Sequence, residues 1–264
     1  MRTRQIEMRI IDTHSHIYSE EFDNDIDEVI KRAKQAGVEK ILLPNIDASS
    51  IDRLHNISDR YTGYCIPMMG LHPTSVGENW KEELDIIRKE LSKRTYIAIG
   101  EIGIDLYWDK TFEEQQRLVF EEQLRWSIEY DLPVAIHSRD AIAECISCIK
   151  NVGEQHLRGV FHSFGGTVEE LDGILSLRNF MLGINGVVTF KNSTLPTVLK
   201  ETNLSTIIIE TDSPYLAPVP YRGKRNESSY TLNVVTKLAE IYGLPAEEVG
   251  QITTENAEKL FALK

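Results

Sequence analysis

No apolar run in this chain approaches the roughly 20 residues that a bilayer-crossing helix needs, so no membrane span is expected. The 264 residues hold only three cysteines, an odd number that makes no disulfide framework, and a reducing, cytoplasmic location follows as the expectation. Cys145 and Cys148 form a CxxC. They fall on a predicted helix with no second pair, and read as two small helix residues rather than a redox or zinc pair. Basic residues are in deficit: 29 Lys and Arg against 41 Asp and Glu leave a net charge of −12. That points away from general, sequence-independent coating of DNA, which needs a basic footprint. It leaves a nucleic-acid substrate open, because bound cations invert the local field of a site. The start, MRTRQIEMRI, is positively charged but lacks the apolar stretch of a secretory signal. No linker rich in Pro, Gly and Ser interrupts the chain, so residues 1–264 read as a single domain, within the range of α/β barrels.

What is present is a repeating series of short, β-branched-rich runs that read as buried parallel strands. They fall near residues 8–12, 39–44, 64–69, 95–100, 132–136, 158–161, 179–184 and 205–210. Their C-terminal landmarks are His16, Asn45, His72, Glu101, His137, His162, Asn185 and Asp212. From residue 16 to residue 212 is 196 residues over seven steps, a mean of 28. A strand, a helix and two short loops need about that many residues. Helical periodicity fills the gaps, clearest over 23–35, 111–130, 140–150 and 232–242. The fold class predicted is α/β, a (β/α)8 TIM barrel. A doubly wound open sheet is the rival, but it would scatter the strand ends that a barrel gathers at one mouth.

Those strand ends carry chemistry. His14 and His16 form an HxH, and side chains two apart in a strand point the same way, so both imidazoles can reach one ion. Glu101 ends the run YIAIGE, where a buried carboxylate needs compensation; a metal supplies it, and its two oxygens can bridge two ions. His137 and His162 each close an apolar strand, VAIH and GVFH. Asp212 follows the last strand and lies beside the first once the barrel closes, where it can meet the same ion and accept a proton from its water. These six residues are the predicted ligands of two divalent cations. Imidazole-rich sites suit zinc or manganese, whereas magnesium prefers oxygen. Tyr107 and Trp108, after the fourth strand, are candidates for stacking bases; Trp80 reads as packing. Residues 221–226 make a local basic loop near the same mouth.

HxH, GLHP at 70–73, GEIGID at 100–105, HSRDA at 137–141, HSFGG at 162–166 and ETDSPYLAP at 210–218 occur in order through nearly the whole chain. Together they resemble the TatD-type metal-dependent deoxyribonucleases of the amidohydrolase superfamily. The resemblance implies a (β/α)8 barrel with a two-ion site, hydrolysing phosphodiester bonds as a 3′-end exonuclease on DNA, with single-stranded ends as the expected substrate. It implies that His14, His16 and Asp212 hold the first ion, that Glu101 bridges, and that His137 and His162 hold the second. Family members are commonly magnesium-dependent. By the same resemblance His72 would face substrate phosphate, and Arg139, Arg225 and Asn226 would be further substrate contacts. The chain departs from the family in two places. It has Arg225-Asn226-Glu227-Ser228 where many members read Arg-Asn-Glu-Pro, which predicts a looser loop. It also has His162-Ser163-Phe164 where many read His-Cys-Phe, which keeps the ligand.

Three other functions fit parts of the pattern. A barrel amidohydrolase acting on a small ester, lactone or amide usually carries a carboxylated lysine on strand four, and YIAIGEIGID has none. A water-activating site could equally remove a misattached residue from aminoacyl-tRNA. A non-catalytic scaffold would predict a lost ligand, and all six are present.

Overall fold

A computed structural model describes residues 8–263; the basic start of the chain, residues 1–7, lies outside the described residues. In order, the elements are β1 (Ile10–Asp12), α1 (Ile26–Gln35), β2 (Val38–Leu43), α2 (Ile51–Arg60), β3 (Cys65–Pro67), α3 (Trp80–Leu91), β4 (Ile99–Asp105) and α4 (Glu113–Tyr130). There follow β5 (Val134–Arg139), α5 (Ile142–Val152), β6 (Gly159–Phe161), α6 (Val168–Leu175), β7 (Phe180–Ile184), α7 (Leu195–Val198), β8 (Ile207–Ile209), α8 (Thr231–Tyr242) and α9 (Ala246–Phe261). Among these residues no helix is long and apolar enough to cross a membrane.

Parallel pairing runs β1-β2-β3 and β4-β5-β6-β7-β8. Two seams join these sheets into one ring. At the first, Met69 N–H donates to Ala98 C=O (3.2 Å) and Gly100 N–H to Met69 C=O (3.1 Å). At the second, Thr13 N–H donates to Ile209 C=O (3.1 Å) and Asp212 N–H to His14 C=O (2.9 Å). Side chains across the second seam reinforce it. Asp12 accepts from the Thr211 amide (2.9 Å) and hydroxyl (2.7 Å), and the Ser15 and Ser213 hydroxyls meet at 2.7 Å. The (β/α)8 barrel expected from the strand spacing is therefore closed.

Strand alternation divides the core in two. Ile11, Leu42, Met68, Ala98, Ala135, Val160 and Ile208, from strands around the ring, form one cluster with Ala257, Leu260 and Phe261 of α9. Residues from so many strands can meet only inside the barrel, so α9 plugs its N-terminal end. The larger cluster lies between strands and helices and takes the alternate positions, such as Ile10, Ile41, Leu43, Ile99, Val134 and Ile136. Ile26, Val29, Ile30 and Ala33, one face of α1, show the helical half of that packing. Trp80 packs against this cluster, as its sequence context suggested.

The expected strand boundaries shift most at β4. The sequence places it at 95–100, yet it starts at Ile99 and continues through Glu101 to Asp105, pairing with β5 as far as Arg139. Glu101 is thus inside the strand and His137 inside β5, rather than just past their ends. The alternation Glu101, Gly103, Asp105 keeps polar groups on one face while Ile102 and Ile104 bury on the other, so the polar letters do not stop the strand.

Phe261 is almost completely buried at the closed end of the barrel. Phe261→Ala should cost about 3–5 kcal/mol through lost transfer energy and the cavity left behind. Calorimetric unfolding should show a Tm several degrees lower; an unchanged Tm would mean that the plug carries little of the stability.

Candidate metal centre

Glu101 sits 2% exposed at the axis of the mouth. Its two oxygens face different groups of imidazoles. Oε2 lies 3.0 Å from His14 Nε2 and 3.5 Å from His16 Nε2, both following β1. Oε1 lies 3.0 Å from His137 Nδ1, 3.4 Å from His72 Nε2 and 3.4 Å from His162 Nε2, from β5 and the ends of β3 and β6. Asp212 Oδ1 stands 3.6 Å from His16 Nε2 and 3.9 Å from His14 Nε2. The structure thus brings all six predicted ligands together. His72, expected to face phosphate, has its Nε2 turned into the same ring, because its Nδ1 is held by Thr74 (2.7 Å to the hydroxyl).

The electrostatics follow from burial and from this crowding. Burial alone would raise the Glu101 pKa, but His14, His72, His162 and a hydrogen bond with His137 outweigh it and hold the carboxyl well below its usual range. Burial lowers His14 and His72, favouring the neutral imidazole that binds metal. Burial would also lower His162, yet Glu210, Glu101 and Asp212 prevail and raise it to about 10. His137 is raised against its burial by Asp105 and Glu101. The ring therefore draws positive charge.

A divalent cation fits this donor set. Ligand atoms of His14, His16 and Glu101 lie within 4.8 Å of one another, as do those of His72, Glu101 and His137, and those of His14, His162 and Glu210. Two buried polar atoms here, His14 Nδ1 and Glu210 Oε2, have no hydrogen-bond partner among the described residues. Both belong to the third of these groups, His14, His162 and Glu210, where a cation among them would offset the cost of burying such atoms unpartnered.

Two carboxylates escaped the sequence reading. Glu210, fully buried, lies 2.9 Å from His162 Nδ1 and accepts from the Ser163 amide (2.6 Å), so that His162 Nε2 points at Glu101. Asp105 Oδ2 lies 2.8 Å from His137 Nε2, and Asp105 Oδ1 accepts from the amides of Tyr107 (3.0 Å) and Trp108 (3.3 Å). The signal was available: Glu210 is two residues from Asp212 and Asp105 four from Glu101, the parity already used for His14 and His16. Space for these groups comes from glycine. A Cβ on Gly103, whose φ is +146°, would lie 1.9 Å from His137 C=O, and one on Gly183 would lie 2.2 Å from Glu210 Oε2.

The remaining predicted contacts divide. Exposed Arg139 stacks on Tyr107 (3.8 Å to the ring centroid) and reaches Trp108 (5.2 Å), and makes no ion pair among the described residues. Tyr107 and Trp108 are 52% and 70% exposed, so an aromatic and cationic patch faces solvent. Arg225 is spent elsewhere. It bonds both Asp25 oxygens at 2.7 Å and the Glu21 carbonyl at 2.6 Å. Asn226 is fully buried and donates to the Thr211 and Tyr215 carbonyls at 2.8 and 2.7 Å. Glu227 bonds Arg32 twice. These neighbours tie the loop after β8 to α1, with Ser228 standing where many family members carry proline. Cys145 and Cys148 are free and buried on α5, with burial pushing both thiols up, Cys148 to about 11.

Comparison with known proteins gives the same outline. A family profile described as TatD related DNase matches residues 11–262. The chain is 38% identical to the uncharacterized metal-dependent hydrolase YabD of Bacillus subtilis, over 96% of this chain and 99% of that protein. It is 32% identical to the 3′-5′ ssDNA/RNA exonuclease TatD of Pectobacterium parmentieri, over 96% of this chain and all of that protein. Among solved structures, the TatD homolog YjjV of Escherichia coli superposes with a TM-score of 0.90 at 30% identity, covering 97% of this chain and 99% of that one.

Glu210→Gln keeps the side-chain volume but can donate to His162 Nδ1 and so reverse the tautomer. Divalent-cation affinity should fall about 10–100-fold, as when other outer-shell partners are lost, with Tm little changed. Titration with Mn²⁺ measures this, and wild-type affinity in the variant would remove Glu210 from the site.

Proposed function

The chain belongs to the TatD-related DNase family and is a metal-dependent hydrolase; from that premise we propose that it removes nucleotides from the 3′ ends of single-stranded DNA, with two divalent cations (zinc, manganese or magnesium). The observation that carries the reading is the division of labour at Glu101: one oxygen faces the histidines after β1, and the other faces His72, His137 and His162. His14, His16 and Asp212 would hold one cation, His137 and His162 the other, and Glu101 would bridge. Such cations supply Lewis acidity, acidifying a water and neutralising charge on the phosphoryl oxygens.

The chain's own side chains do the rest. Asp212, 14% exposed and held at a φ of +57°, turns its carboxylate from the rim toward the His14 and His16 edges. There it orients the attacking water and accepts its proton. Its positive φ is maintained by Asp212 N–H bonding His14 C=O, strain of the kind that marks functional positions. His72, beside His137, presents its Nε2 to the space over Glu101 that the scissile phosphate would enter. Arg139 adds a charge-assisted bond to the next phosphate, while Tyr107 and Trp108 stack the terminal bases. Arg225 and Asn226 contribute indirectly, by fixing the loop that carries Asp212.

A 3′-labelled single-stranded DNA oligomer should release labelled mononucleotide with Mg²⁺ or Mn²⁺, and none with a chelator. Asp212→Asn should lower the rate about 10²–10⁴-fold, the worth of a positioned base, with the fold intact. A normal rate in that variant sinks the base assignment. No release from DNA or from a matched RNA by metal-loaded protein shifts the substrate to a small ester or amide.

A further inference from the structure

A cavity of about 450 Å³ opens at the opposite end of the barrel from the metal centre. It lies where the chain enters β6, β7 and β8, beside the α9 plug. Along β6, His162 is four residues beyond Arg158 of the cavity wall, so the two sites are about 13 Å apart in strand length, with the interior cluster between them.

Its lining is unusual for a chain with a net charge of −12. Arg158, Arg178, Lys259 and His156 contribute to the wall, and no carboxylate does. Arg158 is partly committed, bonding Asp131 at 2.7 Å. Arg178 and Lys259 make no ion pair among the described residues. Arg178 also has a φ of +62°, at the exit from α6. Glycine or asparagine normally takes such a place, so a long cation is kept there at some conformational cost. A guanidinium fork and an ammonium without a counter-ion on one wall, with a second guanidinium held beside them by Asp131, are the recognition chemistry of phosphate.

Size and the other wall groups narrow the ligand. The volume falls in the range of small-molecule sites, about 300–1,000 Å³, and is far too large for inorganic phosphate alone. Gln155 and Asn179 also line it, and their side-chain amides make no hydrogen bond among the described residues. Each offers both donors and an acceptor, as the edge of a heterocyclic base requires. Leu157, Phe180 and Leu260 supply an apolar floor. We propose that this cavity is a second, non-catalytic binding site for a nucleoside monophosphate, the phosphate held by Arg178, Lys259 and Arg158 and the base read by Gln155 and Asn179. Nothing in it depends on the nuclease reading of the metal centre.

The test is an NMR titration of the full-length, zinc-loaded chain with AMP, ribose 5-phosphate and inorganic phosphate. Because AMP can also meet the metal centre, amide shifts at residues 178–181 and 205–206 are followed separately from those at 107, 108 and 139. Saturable shifts at the first group are expected, with AMP binding at least about tenfold more tightly than inorganic phosphate. Arg178→Ala and Lys259→Ala should each weaken AMP about tenfold there, one charge-assisted contact being worth roughly that factor. Tm and the shifts at the metal centre should not move. Shifts confined to the metal centre, equal affinity for AMP and inorganic phosphate, or wild-type affinity in both variants would each overturn the proposal.

Discussion

A carboxylate buried on the axis of a barrel is tolerated only if positive charge surrounds it. Glu101 is that carboxylate, and much of the mouth is arranged around it. Imidazoles from four different strand ends approach within 3.5 Å of its oxygens, and none of them is a sequence neighbour of Glu101. The same constraint explains why β4 continues through residue 105, with its register against β5 shifting between Ile99 and Ile102. The polar positions on its inner face are answered by histidines across the mouth, so the strand need not end where the apolar letters do.

Convergence of this kind depends on closure. The seam between β8 and β1 places Asp212 beside His14 and His16, and it is tied by backbone bonds, by Asp12 to Thr211 and by the paired serines. Burial pushes the Asp12 carboxyl up to about 7, against the hydrogen bonds from Thr211. At the far end α9 fills the interior with Leu260 and Phe261. The mouth is left polar and the base apolar, so chemistry is confined to one end and packing to the other. The basic cavity beside the plug is the exception, and its unpaired cations stand out for that reason.

Around the ring a further layer decides how each histidine presents itself. Glu210 takes one nitrogen of His162 and Asp105 one of His137, leaving the opposite nitrogens aimed at Glu101. Asp105 also holds the amides of Tyr107 and Trp108, which links the aromatic patch at the rim to the imidazole beneath it. Arg225 and Asn226 act in the same supporting manner, one on Asp25 at the start of α1 and one on backbone carbonyls.

The barrel, its strand count and the six residues that gather at its mouth were legible in the linear chain, because period-two burial and a polar residue at each strand end are local patterns that survive without the fold. Glu210 and Asp105 had the right parity but sat beside stronger candidates, and parity alone does not say which carboxylate meets a ring nitrogen. The destinations of Arg225 and Asn226 were beyond local reading: a basic residue near a mouth looks the same whether its partner is a phosphate or Asp25, 200 positions away in sequence. Sequence by itself determined which residue types stand at which strand ends, since that is set by spacing along one strand. Only the tertiary structure decided which nitrogen faces which oxygen and which cations remain unpaired, since those depend on distances across a closed ring between residues that the chain keeps far apart.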